Sequence, residues 1–556
     1  MTIWPLVLLV IITAFIIRYV YKRSASTRKQ LAEIKETWSK PVEKYRNIKM
    51  VSAYLNLNAE EKNISAETAA DLDLENVFAF IDRTASKPGE QLLYQKLHTL
   101  QTSVQYFAGL EQDIHTFGHD TDKRELAQLK LASLNGADSY YLTGLFSGPQ
   151  QSLFSGLVQF YIRVSAIVIT ALLFLLFVLP NQVYLFLLMG MLIGNMVIHF
   201  SSKVKVLPYT RSLPQLLMLY NVGNWLYNQF NLNNEELKGS LLKLGKLKKS
   251  LSFLKLQAAT ATDPTDLLYL LIEWLNILLL IEPLVFLTSI NKVNKYLAHI
   301  RVVYEFVARA DVAISIQSVR EGLPYYCQPL FSSTTNSLMV EEIYHPLVEK
   351  CLPNSMTSNN SQGVLITGSN MSGKTTFIRA IGINTLLAQT IHTCCARVYE
   401  VPPLKIFTSI QINDDINTHK SYFQAEALSV LDILNRTTSN QPVKSLIIID
   451  EIFRGTNTIE RVAAAKAVLS YLIANQNFVF VSTHDLELAK LLGEEYAVYS
   501  FEELLGDKRL VFDYKIKKGL LKNKNGIAVL QGMGYPQSVI EVAYEVSKQL
   551  REKYEL

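Results

Sequence analysis

The octapeptide Gly368-Ser369-Asn370-Met371-Ser372-Gly373-Lys374-Thr375 constrains this chain more than any other feature of its 556 residues. It matches G-x-x-x-x-G-K-[ST], a pattern that requires a strand, a tight glycine-bounded turn and a helix in that order. The β-branched run at 363–367 and the helical composition of 376–391 supply that context. In such a turn the glycines let backbone N–H groups point inward at phosphate oxygens, and the following helix presents its positive dipole end to the same anion. Residues 368–375 together with Thr376 are therefore expected to hold ATP. Lys374 reaches the β- and γ-phosphates, and Thr375 offers a hydroxyl to Mg²⁺.

A magnesium-bound triphosphate needs a carboxylate across the site. Asp450 follows the apolar run at 446–449, with Glu451 immediately after it. The expectation is that Asp450 holds the metal, directly or through water, while Glu451 orients or deprotonates the attacking water. The run at 478–482 leads into Thr483-His484-Asp485, which puts His484 at the same edge as a candidate γ-phosphate sensor. Segments 376–391, 421–438 and 459–475 have helical length and alternate with these runs, as in a doubly wound parallel sheet. The α/β domain is placed at 330–556. Within it, the Ser-, Asn- and Thr-rich stretch 353–361 reads as a loop.

The rest of the chain reads differently. A hydrophobic fraction of 49% against 19% charged residues implies that apolar residues are concentrated in particular segments. Residues 3–20 are apolar except for Arg18 and are followed by Lys22, Arg23, Arg28 and Lys29, the order of an uncleaved anchor whose downstream chain stays in the cytoplasm. A second block runs from 164 to 179, breaks at Pro180-Asn181-Gln182 and resumes over 183–200, which predicts a transmembrane hairpin with both ends cytoplasmic. A further apolar run, 267–290, carries Glu273, Glu282 and Pro283. Crossing there would put the nucleotide site outside the cell, so it is expected to be a buried or interfacial helix. The predicted layout is an anchor at 1–30, a helical region at 31–160, the hairpin at 161–202, a helical region at 203–329 and the ATPase domain. The net charge of +5 decides nothing. Lysines between 238 and 255 fit DNA phosphate, a lipid surface or a solvated helix face alike. The four cysteines have no paired spacing for zinc and suit a reducing compartment.

The ordered motifs resemble the MutS family of DNA mismatch-repair proteins. They are the loop with its Asn370-Met371, then Asp450-Glu451-Ile452-Phe453-Arg454-Gly455-Thr456-Asn457-Thr458, then Ser482-Thr483-His484-Asp485. Tyr344-His345-Pro346-Leu347 resembles the family's entry to its ATPase domain, and 526–540 resembles its dimerising helices. Asp414-Asp415 through Glu426 looks like the segment crossing the dimer interface. On that resemblance Ser421 approaches the γ-phosphate held by a second copy. Shorter likenesses at 80–93 and 311–315 resemble the helical core and levers. The resemblance implies an ABC-type, MutS-like P-loop ATPase domain preceded by a mainly α-helical core and lever region interrupted by the hairpin. There are departures: the only Phe-x-Glu triplet, Phe501-Glu502-Glu503, lies inside the ATPase domain, and His419 and Phe453 stand where the family usually has glycine. The expectation is an ATP hydrolase that forms a homodimer and binds DNA without reading mismatches directly. It would sit in a membrane such as the bacterial inner membrane, with its ATPase domain in the cytoplasm. The alternative is a membrane-bound mechanochemical ATPase acting on a protein or lipid partner.

Overall fold

The computed structural model describes residues 4–59, 64–149, 154–251, 267–332, 336–369, 372–411, 422–438, 443–506, 509–520, 527, 530–531 and 533–554. They form two compact units, each made from three stretches of chain: Met1–Ala59, Asp82–Gln95 and Glu111–Ser318, and then Glu60–Ile81, Lys96–Leu110 and Val319–Leu556.

The first unit is helical. Its principal helices are α1 (Trp4–Thr37), α2 (Lys87–Leu97), α3 (Gly156–Val178), α4 (Gln182–Gln229), α5 (Leu267–Leu279), α6 (Ile281–Asn294) and α7 (Leu297–Gly322). Asn181 ends the break between α3 and α4 by accepting from Val183 N at 3.0 Å, an N-cap that starts the second helix of the hairpin. Gly156–Val178 and Gln182–Lys203 are each long and apolar enough to cross a membrane by length and composition. Their outer faces carry Phe174, Phe177, Phe186 and Ile193, all well exposed. The run expected as one helix over 267–290 is two, α5 and α6, bent by 67° about Leu280, whose φ of 49° is left-handed. Pro283 falls in the first turn of α6, where no intrahelical N–H bond is lost. The lysine-rich segment forms a helix, Glu235–Leu251, with Leu237, Leu241, Leu244 and Leu247 buried along one side. Several of its lysines are engaged: Lys248 donates to Asn221 at 2.9 Å and Lys243 lies 3.0 Å from His299. Lys255 lies outside the described residues.

The likenesses at 80–93 and 311–315 meet in this unit. Asp311 of α7 accepts from Ala85 N at 2.9 Å and from Ser86 N at 2.8 Å, capping the start of α2, and Ser315 accepts from Arg83 N at 2.9 Å.

The second unit holds two sheets. Their strands are β1 (Leu330–Phe331), β2 (Ser337–Ile343), β3 (Asn354–Asn359), β4 (Gly363–Thr367), β5 (Val398–Val401), β6 (Leu404–Ser409), β7 (Lys444–Asp450), β8 (Phe478–Thr483), β9 (Tyr496–Gly506) and β10 (Arg509–Lys518). The six-stranded sheet has order β10-β9-β4-β8-β7-β6 and is parallel except for β10; the four-stranded sheet has order β1-β5-β2-β3. Alternate residues of the central strands feed different cores. Val364, Ile366, Leu446 and Ile448 pack on one face with α8 (Lys374–Ile391), whereas Leu365, Ile447 and Ile449 pack on the other with α9 (Tyr422–Arg436) and α10 (Thr458–Ala474). That is the covering of a parallel sheet on both faces, and it explains why these strands read as unbroken apolar runs.

One expectation is corrected here. Most of 353–361 is strand β3, whose residues alternate buried and exposed and pair antiparallel with β2, so cross-strand pairing overrode the turn-like composition. The unit also takes in residues from the helical N-terminal half. Asp71 accepts from Ile410 N at 2.9 Å and Gln411 N at 2.7 Å, and Phe107 stacks on Phe331 and His392.

Candidate nucleotide site

Three parallel strands, β4, β8 and β7, end side by side, and the loops after their carboxyl ends carry the site, where ligands bind in open α/β sheets. Leaving β4, the chain turns at Gly368 (φ 149°) and again at Gly373 (φ 105°) before α8 begins at Lys374. A Cβ at Gly368 would sit 2.8 Å from Ser372 Oγ and 3.0 Å from Phe501 O, so the first glycine is required by both dihedral and space. Between them Ser372 donates its hydroxyl to Ser369 O at 2.9 Å, tightening the turn. Lys374 is buried and donates to Gly368 O at 2.7 Å and Ser369 O at 2.6 Å, which keeps its ammonium over the loop. Asn370 and Met371 lie outside the described residues, as does Ser421.

The register of β7 against β8 pairs Asp450 with Ser482, and that of β4 against β8 pairs Thr367 with Thr483. As a result Thr375 Oγ1, in the first turn of α8, lies 2.7 Å from Asp450 Oδ2, and Ser482 Oγ donates to Asp450 Oδ1. A hydroxyl and a carboxylate converging beside the glycine-bounded turn form an all-oxygen donor set, the kind Mg²⁺ takes while keeping waters and phosphate oxygens. The residues present thus fit magnesium nucleotide.

Glu451 is 8% exposed and held in left-handed backbone, φ 55°, with its N–H donating to Ser482 O at 2.9 Å. His484 Nδ1 lies 3.3 Å and Arg454 Nε 2.7 Å from Glu451 Oε2. The hydrogen bond from His484 holds the Glu451 carboxyl below its usual range against the effect of burial, and Arg454 and Lys374 pull the same way. Glu451 in turn holds His484 above its ordinary value. Here Glu451 is a carboxylate, an acceptor poised for a water or a proton.

The sequence gives no role to Glu426 or Arg454. Glu426, on α9, is 2% exposed and accepts from Phe453 N, tying the turn after Glu451 to that helix. Phe453 also has positive φ, 62°, and a Cβ at Gly455 would lie 2.8 Å from Phe423 Cβ, so α9 presses directly on the turn. The signal that points to Glu426 is a carboxylate on the apolar side of an amphipathic helix. Beside α8 a cavity of about 610 Å³ is lined by residues including Tyr344, His345, Thr375, Thr376, Glu451 and Tyr514. Burial pushes the His345 imidazole down to about 4, so the ring is neutral, and its Nδ1 accepts from Leu347 N at 3.3 Å.

Residues 364–551 match the family model for MutS domain V. The DNA mismatch repair protein MutS of Petrotoga mobilis is 32% identical over 277 residues, 48% of this chain and 33% of that protein. Its counterpart in Clostridium tetani is 32% identical over 283 residues, covering 48% and 31%. MutS protein homolog 4 of Mus musculus is 28% identical over 338 residues, covering 57% and 34%. The chain spans about a third of the length of these curated relatives.

Proposed function

Because the chain belongs to the MutS family through residues 364–551, we propose that it is a membrane-anchored ATP hydrolase that works as a homodimer and binds DNA without reading mismatches directly. The observation that carries the ATPase reading is the convergence of Lys374, Thr375, Asp450, Glu451 and His484 on the glycine-bounded turn. Backbone N–H groups of 368–375 and Lys374 would hold the phosphates, and Thr375 and Asp450 would hold Mg²⁺. When bound, the ion offsets the negative charge on the phosphate oxygens. Glu451, ionised and anchored through its own N–H, accepts a hydrogen bond from the attacking water. His484, 3.3 Å from that carboxylate, would position it and sense the terminal phosphate. The cavity of about 610 Å³ is of a size to take the base and ribose.

Dimerisation is supported by the helix Gln537–Tyr554, where Val539, Val542 and Val546 form an exposed stripe at helical spacing. A second copy covers it, and Ser421 from that copy completes each nucleotide site. The apolar faces of α3 and α4 support membrane insertion, with the ATPase domain in the cytoplasm. A second reading, a mechanochemical ATPase acting on a protein or lipid partner, draws on that same hairpin.

The test is nucleotide binding and turnover by protein reconstituted in lipid nanodiscs. Lys374→Ala abolishes tight binding of ATP, whereas Glu451→Gln keeps binding and slows hydrolysis by roughly a hundredfold or more. Unchanged turnover in the Glu451 variant removes that residue from the chemistry.

A further inference from the structure

Helices α5 and α6 record their depth along the hairpin through polar and apolar contacts. At the hairpin's open end, near the last residue of the apolar part of α4, Glu273 pairs with Lys203 and lies 3.3 Å from His199 Nε2. Five residues further, Leu278 packs against the cluster of Ile169, Leu172 and Leu188, near mid-length of the hairpin. There its carbonyl accepts from Asn195 Nδ2 at 2.7 Å, and Asn195 Oδ1 accepts from Tyr161 at 2.9 Å. Asn195 stands eight residues, about 12 Å, inside Lys203 on α4. The chain then turns at Leu280, and Phe286 of α6 packs edge-on against Phe154 and Tyr209. Both of those rings lie beyond the apolar spans, at the open end again. The segment therefore enters beside Lys203, reaches mid-hairpin and leaves by the end at which it entered.

Its polar groups are handled as a low-dielectric setting demands. The last carbonyls of a helix lack intrahelical N–H partners, and Asn195, itself fully buried, donates to one of them, Leu278 O, at the break. Glu273 is paired with a lysine and a histidine. On α5, Trp274 and Leu275 are 69% and 47% exposed, as are apolar side chains of α3 and α4 such as Phe177 and Phe186.

Building on the membrane reading above, we propose that α5 and α6 form a re-entrant membrane element whose Trp274 and Leu275 meet lipid acyl chains just below the headgroups. Tryptophan favours that depth. A dip and return leaves the number of crossings unchanged, so the nucleotide site stays in the compartment of the hairpin's ends.

Wild type and Trp274→Phe are compared in phosphatidylcholine vesicles brominated at shallow or deep acyl carbons, with iodide as the aqueous quencher. The fluorescence lost in the variant should be quenched severalfold more by shallow bromine than by iodide. In parallel, Ser155→Cys and Lys292→Cys are labelled with an impermeant maleimide in sealed vesicles and scored by peptide mass spectrometry; both should label from one face. If the protein floats with vesicles but the Trp274 signal responds to iodide alone, or the two cysteines label from opposite faces, the re-entrant element is wrong and the membrane reading survives. Failure to float with vesicles overturns both.

Discussion

Phe453 occupies a backbone conformation that glycine adopts freely and a bulky side chain does not, at φ 62°. Its ring compensates: it is 7% exposed, part of the core beneath β7 and β8, and 6.0 Å from Phe423. The two effects have opposite signs. Left-handed backbone costs about 1–2 kcal/mol, whereas removing a buried phenyl ring costs about 3–5 kcal/mol. Phe453→Gly is therefore expected to destabilise by about 2 kcal/mol despite relieving the backbone, read as a lowered thermal unfolding temperature; a rise in that temperature would show that strain dominates. Glu426 acts on the same turn through Phe453 N. Glu426→Ala should lower ATP turnover on the order of tenfold, the equivalent of one lost hydrogen bond, while nucleotide affinity stays nearly constant. Glu426→Gln, whose amide oxygen still accepts, should restore most of it. A matched loss in alanine and glutamine variants would count against this positioning role.

Among elements, the junction of α2 with α7 depends on a buried acid. Burial raises the Asp311 carboxyl from 3.8 to about 6, although Ser86 and Ala85 donate to it and pull the other way. A folded value above the unfolded one means the native state holds the proton more tightly. Stability from this group is complete below about pH 3.8 and falls as pH climbs through about 6, by about 3 kcal/mol in total. Asp311→Asn should flatten that decline when thermal unfolding is followed from pH 4 to 7; an unaltered slope would place the titration elsewhere. Gly89 belongs to the same junction, because a Cβ there would lie 2.2 Å from Asp311 Oδ2. Gly89→Ala must push the acid off its cap, and it should destabilise despite alanine's better helix propensity.

For the molecule as a whole, the proposed ATPase reading leaves the partner to be identified, on a chain with two helices, among the described residues, long and apolar enough to cross a membrane. A gel-shift titration with branched and duplex DNA across salt addresses it. DNA binding through lysine and arginine gives an affinity that falls linearly in log–log against salt. Absence of any shift at low salt would remove DNA and leave the protein or lipid partner. Lysines of the helix Glu235–Leu251 are the ones to vary in that titration, Lys248 and Lys243 already engaging Asn221 and His299.

The amino-acid sequence by itself determined what depends on neighbours along the chain. The glycine-bounded turn and its flanking strand and helix follow from local dihedral needs, and the helices expected at 376–391, 421–438 and 459–475 appear as Lys374–Ile391, Tyr422–Arg436 and Thr458–Ala474. The acidic pair at 450 and 451 was legible because two carboxylates end an apolar strand. Tertiary structure alone decided what depends on residues far apart. The strand at Asn354–Asn359 exists because β2 pairs with it, against its own turn-like composition. The break at Leu280 is matched by Asn195 from another helix, and Glu426 reaches a turn 27 residues away. Local preferences are short-ranged and written in adjacent residues, whereas pairing, capping across elements and burial of an acid are set only when the chain closes on itself.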